Sequence, residues 1–248
     1  MLHRFFVARE AIGKFGVLFP EETAHQIRKV LRLRQGDMVT VLDGSGVEYA
    51  VRLEKITNEK VWGSLQGQQQ AGGEPVLQIF LYLSLTQREK FEWALQKCTE
   101  VGVSAFVPVI SDRTLARDKE QALQKKERWE RILKEAAEQS GRGRIPQINA
   151  PLALAEALNS MHGQDFPAVF LWENETRHLL YGWLLENAVR IRQAGRLALF
   201  VGPEGGYTQE EAASANDCGV RTMSLGERIL RMETAAVVAC ALPLQVLG

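Results

Sequence analysis

From Val76 onward the chain alternates short, uninterrupted apolar runs with longer segments of helical spacing, and that alternation limits it to few folds. Apart from Gln78, Val76–Leu83, Ala105–Ile110, Ala168–Trp172 and Leu197–Val201 are apolar on successive residues, as strands covered on both faces must be. Between and after them, 90–101, 119–139, 179–194 and 233–247 carry helical periodicity, and a further short strand is expected at Arg221–Leu225. Strand and helix in turn predict a mostly parallel sheet with helices on both faces. The first 65 or so residues differ. Asp37–Asp43, Val47–Ile56 and Lys60–Leu65 alternate apolar and polar residues around tight turns, and one helix, Glu21–Leu31, interrupts them. A small β-barrel is expected there, followed by a polar, glycine-rich linker at Gln66–Pro75. The expected domains are therefore 1–70 and 75–248.

In the 248 residues, 30 Lys and Arg balance 30 Asp and Glu, and the apolar fraction is 46%. These values exclude disorder and collagen-like chains. The charge is unevenly placed: +2 over residues 1–70, +3 over 88–144 and −4 over 145–248. A polyanionic partner is compatible with this distribution, although the excess alone is weak. No apolar run is long enough to span a membrane, and the start lacks the apolar segment of a secretory signal. Cys98, Cys218 and Cys240 are far apart and form no metal-ligand spacing, as expected of buried thiols in a reducing cytoplasm.

Ligands of open parallel sheets bind at the carboxyl ends of strands, so the loops after the expected strands are the place to search. Gly202-Pro-Glu-Gly-Gly206 follows Leu197–Val201, and its adjacent glycines allow backbone amides to approach a ligand. The same glycines would also suit a plain strand–helix turn. Thr208-Gln-Glu-Glu211 then matches a capping box. Gly226-Glu-Arg-Ile-Leu-Arg231 mixes apolar and charged residues as a pocket wall does, and Glu173-Asn-Glu175 closes a third strand. Phosphate-loop, dinucleotide and hydrolase-elbow motifs are absent, and His3, His25, His162 and His178 are isolated, so no metal is implied.

Gly202-Pro-Glu-Gly-Gly206, followed by Leu225-Gly-Glu-Arg-Ile-Leu-Arg-Met-Glu-Thr-Ala235, closely resembles the RsmE family of bacterial SPOUT methyltransferases. Further matches, in order, are Arg4-Phe-Phe, His25–Arg32 with Gly36-Asp37, Lys90 through Val103, and Glu138–Arg142; Met232 stands where the family pattern suggests threonine. The resemblance implies a PUA-like barrel joined to a SPOUT-type parallel sheet with a deep trefoil knot, acting as a homodimer. It implies S-adenosyl-L-methionine as cofactor and methylation of uracil N3 in 16S ribosomal RNA of the small ribosomal subunit, in the cytoplasm. Carried over by motif, the cofactor would lie among Leu171, Trp172, Glu173, Gly202, Pro203, Glu204, Gly205, Gly206, Leu225, Gly226, Ile229, Leu230 and Arg231. Arg231 is expected to stabilise the developing anion of the base or anchor a phosphate. Glu233 would accept the proton or complement the helix dipole. RNA contacts are expected from Arg4, His25, Arg28, Arg32, Arg88, Lys90, Arg113 and Arg142, with Arg144 a further candidate. A knotted ribose 2′-O-methyltransferase and a non-catalytic assembly factor are the alternatives.

Overall fold

The computed structural model describes residues 2–114 and 119–248 and divides them into two compact units. The first contains the residues up to Glu74 together with Ala137–Ile145, and the second contains Pro75–Ala136 and Pro146–Gly248. A boundary drawn along the sequence misses the return of 137–145, because a segment of ordinary helical composition carries no mark of the unit it packs on.

In the first unit, β1 (Arg4–Phe6) and β2 (Gly16–Leu18) are followed by α1 (Glu21–His25), which continues as a π-helical turn over Gln26–Val30. Next come β3 (Met38–Leu42), β4 (Val47–Ile56) and β5 (Val61–Gln70). The strand order is β1-β3-β4-β5-β2, with β1 parallel to β3 and every other pair antiparallel. The ladder ends on β1 and β2, and its five strands form one curled sheet where the small barrel is expected. Alternate residues point inward from each strand, as the period of two requires, and Val39, Val41, Val51 and Leu53 are fully buried. Phe5 meets Phe19 edge-on, and Ile27 of the π-helical turn closes the core. The expected linker begins too early. β5 runs through Gln70, and Gln68 and Gln69 pair with Tyr49 and Glu48. A strand with solvent on both sides is held by its backbone ladder, and no apolar alternation reveals it.

The second unit begins with β6 (Gln78–Ser84), α2 (Arg88–Val101), β7 (Ala105–Ile110) and α3 (Lys119–Leu123). It continues with α4 (Lys126–Ser140), whose last turn belongs to the first unit, and then β8 (Gln147–Ile148), β9 (Leu152–Ala153) and α5 (Leu154–Asn159). β10 (Ala168–Leu171), α6 (Leu180–Glu186), α7 (Ala188–Ala194) and β11 (Arg196–Val201) follow, then α8 (Gln209–Asp217), β12 (Arg221–Met223) and α9 (Met232–Leu247). The sheet order is β12-β10-β11-β6-β7-β8, with β9 also on β7, and all its pairs are parallel as the alternation predicts. Leu81, Leu83, Phe106, Val169 and Leu199 are fully buried, and Tyr82 stacks on Phe200 at 4.2 Å between ring centroids. α2 ends at Gly102, whose φ of 121° an L side chain would strain. The long helices expected over 119–139 and 179–194 are each broken in two, at 124–125 and at Asn187.

Candidate active site

The carboxyl ends of β10, β11 and β12 open into one cleft of about 570 Å³, a volume suited to a nucleoside-sized ligand. Strand order explains the convergence: β10 lies between β11 and β12, so the loops after these three strands are neighbours although far apart in sequence. Leu171, Trp172 and Glu173 form one wall, Gly202, Pro203, Glu204, Gly205 and Gly206 a second, and Leu225, Gly226, Ile229, Leu230 and Arg231 a third. Glu227 and Arg228, within the loop whose charges suggest a pocket wall, also line it, as do Met223 and Ser224, which the sequence does not single out.

The glycine loop is held by local geometry. Thr208 caps α8 by accepting from the Glu211 amide at 3.1 Å, and Glu211 accepts from the Thr208 amide at 2.8 Å. Tyr207 is buried, stacks on Phe170 at 4.0 Å and presses against Gly202. Its phenol lies 3.4 Å from the Ser84 hydroxyl, and burial raises its pKa well beyond the usual tyrosine value. Gly206 has φ of +68°, and a Cβ there would collide with the Glu173 carboxylate, so this position needs glycine for two separate reasons.

The third wall has a different character. Among the described residues, none of the backbone amides from Glu227 to Leu230 donates within the protein. The side chain of Ile229 is 87% exposed, so it rims the cleft and forms no apolar floor. Arg231 is the N-cap residue of α9, and its guanidinium is exposed and, among the described residues, without a protein partner. Glu233, in the first turn of α9, also lines the cleft, and its Oε2 is buried without a hydrogen-bond donor. The chain thus places an unpartnered cation and an unpartnered carboxylate oxygen in the same cleft. Such a pair can stabilise an anion and accept a proton on one bound group.

The residues expected to touch RNA divide into three groups. His25 and Arg32 are exposed and have no side-chain partner among the described residues, and Arg32 stands in left-handed conformation at φ 53° where the helix ends. Arg88 is an exposed partner of Glu92. Lys90 and Arg113 instead hold the glycine loop: Lys90 Nζ lies 3.2 Å from Glu204, and Arg113 donates to the Gly205 carbonyl at 2.7 Å. The backbone amide of Asp112 donates to Glu211 at 2.8 Å, tying the β7 end to the same loop. Burial pushes the Glu204 carboxyl up, but the Thr86 hydroxyl, its own amide and Lys90 together bring it below the ordinary value. Arg4, Arg28 and Arg142 belong to the frame of the first unit. Arg4 pairs with Glu48 at 2.7 Å, and Arg28 donates to the carbonyls of Thr57 and Asn58 and to Glu21. Arg142 is only 3% exposed and grips Glu74 with two nitrogens at 2.8 and 3.2 Å. The expectation that Arg142 faces a phosphate is therefore corrected: the pairing and burial of the guanidinium leave no open face. Arg144 is exposed, and its guanidinium reaches the Ser45 carbonyl at 3.3 Å.

A parallel α/β unit with a glycine-loop cleft at its strand ends, carried with a small β-rich unit, defines a two-unit α/β protein with a nucleoside-sized ligand cleft. A family model described as an RNA methyltransferase domain matches residues 73–243, and one described as an RNA methyltransferase PUA domain matches residues 19–66. Ribosomal RNA small subunit methyltransferase E of Synechocystis is 34% identical over 97% of this chain and 77% of its own length. The protein of the same description from Bacillus subtilis is 31% identical over 88% and 85%. The crystal structure of ribosomal RNA small subunit methyltransferase E from Neisseria gonorrhoeae, bound to S-adenosyl methionine, aligns with a TM-score of 0.85 at 28% identity, covering 99% of this chain and 98% of that one. The chain belongs to the ribosomal RNA small subunit methyltransferase E family, the RsmE family that its motifs resemble.

Proposed function

We propose that this protein uses S-adenosyl-L-methionine to methylate N3 of a uracil in 16S ribosomal RNA, on the assembled small subunit in the cytoplasm. The observation that carries the reading is the free guanidinium of Arg231 and the orphaned, buried Oε2 of Glu233 in one cleft with the glycine loop. The cleft fits the donor: its volume matches a nucleoside, Gly206 removes the side chain that would fill its wall, and the free amides of 227–230 offer hydrogen bonds to a base edge. When bound, that cofactor supplies an electrophilic methyl group. The protein's own task is to position uracil and remove its N3 proton. Glu233 Oε2 accepts that proton, and the negative charge that spreads over N3 and both carbonyl oxygens is balanced by Arg231 and the N-terminus of α9. Uracil N3 lies on the pairing edge, so the target nucleotide must be unpaired or extruded, as a folded particle can present it.

In this reading residues 1–70 form the RNA-binding domain, with His25 and Arg32 at phosphates, and 75–248 form the SPOUT catalytic domain. A homodimer is supported by α9, whose only charged residue is Glu233 and whose Val237, Val238, Leu242 and Val246 are half-exposed. Trp93, 44% exposed on the helix that packs against α9, extends this apolar face. A deep knot, with α9 threaded through the loops it packs among, belongs to the same reading. The test is nucleoside mass spectrometry of small-subunit particles from a strain lacking the enzyme, after incubation with protein and donor. Methylated uracil base is expected, and ribose methylation or no product overturns the assignment. Arg231→Ala is expected to abolish turnover while donor affinity stays within about tenfold, because Arg231 acts on the developing anion more than on the donor.

A further inference from the structure

A second depression of about 540 Å³ lies along the edge strand β12, and no step of the proposed reaction uses it. Arg190 and Trp183 from the α6–α7 pair, Arg221 from β12 and His162 from the turn after α5 all line it. Among the described residues, none of these four side chains has a hydrogen-bond or ion-pair partner. That is unlike Arg4, Arg9, Arg28, Arg128 and Arg142, each of which meets a carboxylate. Glu186 is the one carboxylate in the lining, against the two guanidiniums of Arg190 and Arg221 in the count of charges. Two free guanidiniums beside a half-buried indole match one ligand chemistry: a phosphate with an unstacked base next to it.

The position of this depression connects it with the methyl-transfer cleft. Met223 lines both. Arg221 and Met223 lie two residues apart on β12 and so face the same side, and the chain continues through Ser224 into the loop of the first cleft. From Arg221 to Leu225 an extended strand covers roughly 13 Å, within reach of nucleotides flanking one held in the cleft. We infer that the β12 depression is a second RNA site, in which Arg190 and Arg221 take a phosphate of a nucleotide flanking the target and Trp183 stacks on its base. This rests on the proposed RNA methylation and adds the contact that sets the register of the strand.

The experiment measures binding of 16S RNA transcript against salt concentration, together with KM for the small-subunit particle and affinity for S-adenosylmethionine. For the Arg190→Ala/Arg221→Ala double variant, the slope of log K against log salt is expected to become shallower by about 1.4, the value for two lost contacts to single-stranded phosphate. KM for the particle should rise, with donor affinity and melting temperature unchanged. Trp183→Ala should raise KM for the particle, and Trp183→Phe should restore it, because a phenyl ring still stacks. An unchanged slope and KM in the double variant overturn this site. Failure of the wild-type protein to methylate the particle overturns the activity instead, and the two failures are read from different proteins.

Discussion

Arg113 and Arg142 both sit in loops beside glycine-bearing segments, and the sequence assigns both to RNA. The structure gives them different neighbours. Arg142 is inside its unit against Glu74, whereas Arg113 lies across Gly205, where a Cβ would press on its methylenes, with its guanidinium on the carbonyl. Sequence carries the charge of an arginine but not the acceptor it meets, so this distinction was not legible. Lys90, Arg113 and Asp112 together hold the Gly202–Gly206 loop from outside, and Glu211 connects that hold to the capping box. Arg113→Ala should therefore loosen donor binding. One charge-assisted hydrogen bond at an exposed site contributes about 1 kcal/mol, so KM for S-adenosylmethionine should rise about fivefold with kcat nearly unchanged. Arg113→Lys should recover part of the loss. A shallower salt dependence of RNA binding with an unchanged donor KM would instead restore Arg113 to the RNA-binding set.

The elements most legible in the sequence were those with one strong period or one hard stop. β4 spans Val47–Ile56 as alternation sets it, α2 stops at Gly102, and the capping box at Thr208 opens α8. Elements whose limits depend on tertiary contacts were not legible. The π-helical turn over Gln26–Val30 has the apolar spacing of an ordinary helix, and Asn187 ends α6 although the residues on either side favour helix. The candidate cleft falls between these cases. Its glycines could be found as loop glycines, but that Gly206 faces Glu173 follows only from the adjacency of β10 and β11. Gly206→Ala tests this contact. The substitution places Cβ against a carboxylate on backbone with φ of +68°, at a cost of about 1–2 kcal/mol for the left-handed conformation alone. Donor affinity should fall more than tenfold, and melting should shift by only a few degrees because the loop is outside the core. Gly206→Ala paired with Glu173→Ala should regain part of the affinity, as collision with that side chain requires.

At the scale of the molecule, the return of Ala137–Ile145 makes the first unit discontinuous in sequence, and an ionic cluster helps to fasten the two pieces. Glu74 accepts from Arg142 and from the amides of Gly143 and Arg144, while Phe6, Leu42 and Ala137 pack beside Ala71 and Ile145. Burial pushes the Glu74 carboxyl up, but the Arg142 guanidinium and the two amides outweigh it and hold its pKa below the ordinary carboxylate value. The native state thus favours the ionised form more than the unfolded chain does. The resulting stability is fully present above the ordinary carboxylate range and is lost as pH falls through the lowered native value. Glu74→Gln should cost about 2–3 kcal/mol at neutral pH, because the buried Arg142 guanidinium loses the Glu74 carboxylate charge. The difference should shrink on acidification, as wild type protonates Glu74 and loses the same ion pair. Urea unfolding of both proteins from pH 7 down to pH 3 measures this directly. Convergence of the two midpoints toward acid is expected, whereas a constant gap would show that Glu74 acts through shape and neutral hydrogen bonding alone.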